Sequence, residues 1–124
     1  MPTNPQYCAA KHALVGLTRS VGSKLGEENI TVNCIYPAFV PTNLCSPHML
    51  SLFPKEHITP MNTVLKAIDR VLEDGKLTGE ILELSLDQIY SRKQPDWPNE
   101  SQRWLGEESA AFWTEAYKTV PKNP

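Results

Sequence analysis

The chain has 124 residues, 40% of them hydrophobic and 21% charged, with a formal net charge of −2. That length suits one domain or part of one, with a modest core. No basic stripe points to nucleic acid, and no polybasic amphipathic segment or bilayer-length apolar run points to a membrane. Residues Met1–Gln6 show neither the charged nor the apolar region of a signal peptide. Cys8, Cys34 and Cys45 are odd in number and irregularly spaced, and read as reduced thiols of a cytoplasmic protein. His12, His48 and His57 share no ligand spacing with one another or with the cysteines, so no metal site is expected.

In chain order, residues 2–6 are rich in Pro and Asn and predict an extended lead-in. Pro5 disfavours helix at the residue before it, so a helix is expected from about Gln6 or Tyr7 to about Glu28. Ala10, Leu14, Leu17, Val21 and Leu25 recur at spacings of three and four and form an apolar stripe. Ala9, Ala13 and Gly16 keep another face small enough for a second backbone to come close. Asn29 tolerates a left-handed cap. Within this helix Tyr7 and Lys11 stand at i and i+4, neighbours on one face. A cation at such a spacing favours the ionised form of a phenol, and a tyrosine so placed suits proton exchange while a carbonyl and an alcohol interconvert. The same spacing also fits a surface Tyr packed beside a Lys stem.

Ile30–Tyr36, β-branched and mostly apolar, predicts a buried strand of a parallel sheet. Pro37–Thr42 predicts a rigid loop, and residues 43–59 a lid-like segment without a clear regular element. Thr59 and Pro60 read as the N-cap and first residue of a helix carrying Val64, Leu65, Ile68, Val71 and Leu72, stopped by Gly75. After a turn over Lys76–Gly79, Ile81–Leu86 predicts a second strand. Helix, strand, loop, helix, strand is half of a parallel α/β fold. Residues 1–90 are thus expected to form a partial domain and residues 91–124 an extension. In the extension, Ser101–Tyr117 predicts an amphipathic helix whose Trp104, Leu105, Phe112, Trp113 and Tyr117 cover a core edge or a subunit contact.

The stretch Tyr7-Cys8-Ala9-Ala10-Lys11-His12-Ala13-Leu14-Val15-Gly16-Leu17-Thr18-Arg19-Ser20 closely resembles the active-site helix of the short-chain dehydrogenase/reductase family. Ile30–Pro37 resembles that family's next strand, which carries an Asn and ends in Pro. Pro37–Thr42 resembles its Pro-Gly-x-Val-x-Thr cofactor loop, and Thr78–Glu83 the Thr-Gly that leads into its last strand. Four signals in the family's order cover roughly residues 5–90. The branch for first comparison is the one similar to 15-hydroxyprostaglandin dehydrogenase. The resemblance implies an α/β fold, namely the C-terminal half of a Rossmann-type doubly wound parallel sheet with the N-terminal cofactor-binding half missing. It implies NAD(P)-dependent interconversion of a small-molecule alcohol and a ketone by hydride transfer, with NAD and NADP both open, and a homo-oligomeric assembly.

The resemblance also implies roles. Tyr7 would be the acid/base at the substrate oxygen, and Lys11 would hold the nicotinamide ribose. Val40 would contact the carboxamide through its backbone, Thr42 would add a hydroxyl, and Pro37 would shape the loop. Met49, Leu50 and Phe53 would line a substrate lid, or simply pack it down. Two departures stand out. Ala38 occupies the position of the loop glycine, which would cost about 1 kcal/mol if the backbone there needs φ > 0. The family's glycine-rich phosphate turn, ribose-binding acidic residue and catalytic serine all precede the tyrosine, and no such glycine pattern occurs here. The expectation is a truncated form, inactive alone; the alternative is a non-catalytic piece that serves interaction or subunit association. Sequencing the transcript upstream of Met1 should show an in-frame glycine-rich strand–turn–helix, and a stop codon in its place would overturn the reading as a second half.

Overall fold

Asn4 opens the longest helix: its Oδ1 accepts the Tyr7 backbone N–H at 3.3 Å, and Pro5 follows where its missing donor matters least. Helix α1, Pro5–Leu25, thus starts slightly before the expected point and ends in a 3-10 turn, Gly26–Glu28. Asn29 then takes the expected left-handed cap, at φ 60. The computed structural model describes residues 4–118, so part of the expected extended lead-in lies outside the described residues. The chain divides into two compact units, residues 1–93 and 94–124.

The face that α1 buries differs from the apolar stripe. Thr18 and Gly22 are buried, whereas Leu14 and Leu17 stay exposed. The close backbone approach also falls elsewhere than on the small face. Gly16 meets open space, but a methyl placed on Gly22 would lie 2.5 Å from the Gly79 Cα and N and 3.1 Å from the Val32 carbonyl. Gly79 itself sits at φ 77, a conformation that favours glycine. Thr78 fastens the same crossing. Its Oγ1 donates to the Gly22 carbonyl at 2.9 Å and accepts the Val32 N–H at 3.1 Å.

Three strands form one sheet in the order β1 (Cys34–Pro37), β2 (Ile81–Ser85), β3 (Gln88–Ser91). β1 pairs parallel with β2, setting Cys34 opposite Ile81, and β2 pairs antiparallel with β3. The expected strand over Ile30–Tyr36 is therefore shorter and shifted. Side chains replace the ladder before Cys34: Asn33 Nδ2 donates to the Leu77 carbonyl at 2.7 Å, and its Oδ1 accepts the Glu80 N–H at 3.1 Å. β1 is also not fully buried, because it lies at the edge of the sheet with β2 on one side only. The second expected strand stops one residue early. Leu86 turns the chain at φ 54 into β3, a strand the sequence pattern missed because Leu86-Asp87 lacks the Gly or Asn usual in such turns.

Helix α3, Met61–Glu73, packs on all three strands, and α1 packs on β1 and β2. Ala67, Leu82 and Leu84 are the buried centre, with Ile35, Val64, Val71 and Ile89 around them. Since strand side chains alternate, Ile81 and Glu83 point to the face opposite Leu82 and Leu84. The outer side of α3 leaves Met61, Leu65, Ile68 and Leu72 exposed at spacings of four, three and four.

Thr59 is not the N-cap of α3; Pro60 occupies that position. The Thr59 hydroxyl accepts the Leu86 N–H at 3.1 Å, and Thr63 Oγ1 donates to the Leu86 carbonyl at 2.8 Å. Both backbone groups of the left-handed leucine are thereby satisfied. The lid segment also holds regular structure: helix α2, Pro47–Leu52, and a 3-10 turn, Lys55–His57. Ser46 Oγ caps α2 by accepting the Met49 N–H at 3.1 Å, the capping pattern that Ser46-Pro47 spells in sequence.

In the second unit the expected continuous helix is broken into α4 (Glu100–Arg103), a π-helical turn (Trp104–Glu108) and α5 (Ala110–Lys118). The Trp97 ring lies against Gly106, in space that any side chain there would fill. Trp97 Nε1 donates to Glu107 at 2.8 Å. Phe112, Trp113 and Tyr117 form a chain of ring contacts, each ring still largely exposed. No helix among the described residues is long and apolar enough to cross a membrane.

Gly22→Ala should lower stability by about 1–3 kcal/mol, because the methyl meets backbone that cannot move aside cheaply. Gly16→Ala, in open space, should be neutral or stabilising by up to about 1 kcal/mol. Equal urea midpoints for the two variants would refute the crossing as a packing constraint.

Candidate active site

The first two turns of α1 present Tyr7 and Lys11 together, as their i,i+4 spacing requires. Lys11 Nζ lies 5.4 Å from the centroid of the Tyr7 ring, within cation–π range. The Asn4 cap fixes the turn that carries the phenol. Tyr7 is 51% exposed, so the side chain is not enclosed by the described residues. Among the described residues, Lys11 takes part in no ion pair, which leaves its ammonium donors available.

The loop after β1 forms the second part of the site. Pro37 sits opposite Leu84 at the end of the strand. The Ala38 N–H donates to the Leu84 carbonyl at 2.8 Å, and the Phe39 carbonyl accepts the Thr59 N–H at 2.8 Å. Ala38 does not have positive φ; among non-glycine described residues only Asn29 and Leu86 do. An alanine at the loop position is therefore unstrained. Val40 is half-buried. Thr42 is exposed, its Oγ1 accepting the Leu44 N–H at 3.4 Å, and its own O–H remains a donor.

In the lid, Met49 is exposed, Leu50 is half-buried and Phe53 stacks on Phe39, with centroids 3.7 Å apart and planes 15° from parallel. Phe39 and Thr59 tie the ends of this candidate loop and lid together, contacts that sequence reasoning missed. Phe39 lay inside the loop motif with no signal for its ring partner, and Thr59 looked like a helix cap. The Tyr7–Lys11 pair and the loop are each well defined, but among the described residues no hydrogen bond or ring contact joins one to the other.

Next to the loop, Tyr36 lies across from Glu83, which in turn pairs with Tyr90 and bonds Arg92. Burial, reinforced by the Glu83 charge and hydrogen bond, holds the Tyr36 phenol above its ordinary range. The hydrogen bond to Glu83 likewise raises Arg92. This cluster is made by strand register, which no local pattern reveals.

The residues present fit one end of a nicotinamide dinucleotide. Lys11 offers unpaired donors and Thr42 a free O–H, groups suited to ribose and carboxamide oxygens. The pyrophosphate end finds no counterpart: the six glycines show no phosphate-cradling spacing.

Comparison with known proteins bears on the family and the fold. The profile of a family described as enoyl-(acyl carrier protein) reductase matches residues 1–73. The short-chain dehydrogenase/reductase prx6 of Penicillium rubens is 39% identical over 95 residues, covering 75% of this chain and 32% of that protein. Zerumbone synthase of Zingiber zerumbet is 54% identical over 43 residues, 35% of this chain and 16% of that protein. A crystal structure of a short chain dehydrogenase from Mycobacterium avium shares the fold, with a TM-score of 0.53 at 20% identity, over 95% of this chain and 40% of that one. The Tyr–Lys helix, the loop and these matches define one class: the chain belongs to the short-chain dehydrogenase/reductase family. It spans about a third or less of the length of these curated relatives.

Because Tyr36 binds its proton more tightly folded than unfolded, its stabilising contribution is intact below pH about 10 and is lost as pH rises through the raised folded value. Tyr36→Phe should therefore show a smaller drop in urea midpoint between pH 9 and about 11 than the parent chain. An equal drop in both would refute this assignment.

Proposed function

We propose that this chain carries the Tyr–Lys half of the active site of an NAD(P)-dependent oxidoreductase that interconverts a small-molecule alcohol and a ketone. The observation that supports it most is the exposed Tyr7 side chain with the unpaired Lys11 ammonium 5.4 Å from its ring. Tyr7 Oη exchanges a proton with the substrate oxygen, acting as acid in reduction and base in oxidation. Lys11 binds the ribose hydroxyls and keeps the cofactor's end beside the phenol. The Val40 backbone meets the carboxamide, the Thr42 hydroxyl adds a bond, and Pro37 sets the direction of the loop. A bound nicotinamide supplies or accepts the hydride.

In this reading residues 1–90 are part of the catalytic domain and residues 91–124 an extension. Met49, Leu50 and Phe53 belong to the substrate lid. The protein works in the cytoplasm, in keeping with three cysteines that form no disulfide among the described residues. The isolated chain does not turn over, because a phosphate cradle and a serine to polarise the substrate oxygen are not among its recognisable elements.

A second reading, a piece that acts by association with another subunit, is favoured by the exposed Leu14 and Leu17 of α1 and the exposed apolar row on α3. It shares the homo-oligomeric assembly expected of the first reading.

Calorimetric titration with millimolar NAD and NADP, alongside a turnover assay, tests the first reading. Binding without turnover is the expected result. If turnover is seen and survives Tyr7→Phe unchanged, Tyr7 has no part in the chemistry. For the second reading, sedimentation should show self-association that Leu17→Glu weakens, and a monomer at all concentrations would dismiss it.

A further inference from the structure

The two ends of the segment between β1 and α3 converge on a single residue. Phe39 accepts the Thr59 N–H on its carbonyl at 2.8 Å and receives the Phe53 ring on its own ring at 3.7 Å. The first contact closes residues 40–58 into a loop with joined ends, and the second closes residues 40–52 into a tighter loop inside it. Thr59 is fully buried and is itself held by Leu86, whose carbonyl is held by Thr63. On the strand side, Ala38 is bonded to Leu84. The outer closure is therefore rigid. The inner one is a ring stack between two half-buried side chains with no hydrogen bond of its own.

We propose that the Phe39–Phe53 stack is a latch that couples the lid residues Met49 and Leu50 to the loop residues Val40 and Thr42. With the latch closed, α2 is carried on the loop and the two move as one body. With it open, α2 and the turn Lys55–His57 swing free while Phe39 and Thr59 remain in place. This deepens, and rests on, the reading of Pro37–Thr42 as a cofactor loop and of residues 43–58 as a substrate lid. Phe39 and Phe53 are positioning residues on this account: substrate access and cofactor contact are set together through one ring pair.

Amide hydrogen exchange on the full chain, without cofactor, tests the latch independently of any binding or catalysis. The reporters are the lid amides of Leu50, Phe53, His57 and Ile58, each bonded within the segment, and those of Thr59 and Leu86 at its base. Phe53→Ala should speed exchange of the lid amides by roughly two- to tenfold, as expected for loss of one aromatic pair. The Thr59 and Leu86 amides and those of β2 should keep their parent rates. Phe53→Trp, which can still stack, should restore protection. Thr59→Val should give the reciprocal pattern, faster exchange at Leu86 first. Unchanged lid rates in Phe53→Ala would overturn the latch, and so would a rise spread evenly over lid and sheet, which would mark Phe53 as a stability residue only. A failed cofactor titration would leave these rates untouched, so the two readings fail separately.

Discussion

The fold rests on a contact in which side chains are mostly absent. At the Gly22–Gly79 crossing a helix backbone lies almost directly on the turn that leads into β2, and the Thr78 hydroxyl bridges it. That hydroxyl accepts from Val32 and donates to Gly22, so one atom joins the helix, the approach to β1 and the approach to β2. Dispersion and hydrogen bonding both fall steeply with separation, so a crossing this tight fixes the lateral position of α1. Everything α1 carries, including Tyr7 and Lys11 about four and three turns upstream, takes its direction from there.

The loop and lid depend on a separate fixture. Thr59 and Thr63 reach from the start of α3 to both backbone groups of Leu86, and Thr59 also holds Phe39. The site therefore has two supports of different construction. The Tyr–Lys pair stands on backbone packed against backbone, and the loop stands on buried threonine hydroxyls. Nothing in the described residues bonds the first group to the second, so their mutual placement comes from the sheet between them.

Much of this was legible in sequence for a definite reason. The i,i+4 pair of Tyr7 and Lys11, Asn29 and the α3 repeat are local signals, settled within a turn or two of helix. Thr78-Gly79 was legible as a motif, but its partner Gly22 lies 56 residues away and gave no sign. The features that were misread are those in which a long-range partner outbids a local one. Thr59 gives its hydroxyl to Leu86 instead of capping α3, and Asn33 replaces the ladder that Ile30–Tyr36 promised. Strand β3 follows a leucine in a conformation usually left to glycine or asparagine. Phe39 and Phe53 are 14 positions apart in a stretch with no periodicity, and only the fold could pair them.

The left-handed leucine has a consequence for how this chain can change over time. Leu86 holds its backbone conformation because Thr59 and Thr63 satisfy its amide and carbonyl from a neighbouring element. Positions 59, 63 and 86 therefore form one unit of inheritance, in which the effect of a substitution depends on what stands at the other two. A lineage that first acquires glycine at 86 relieves the backbone and lets the threonines drift. A lineage that first loses a threonine leaves a strained leucine with an unpartnered peptide group. The order of these steps, more than their sum, governs which sequences remain within reach.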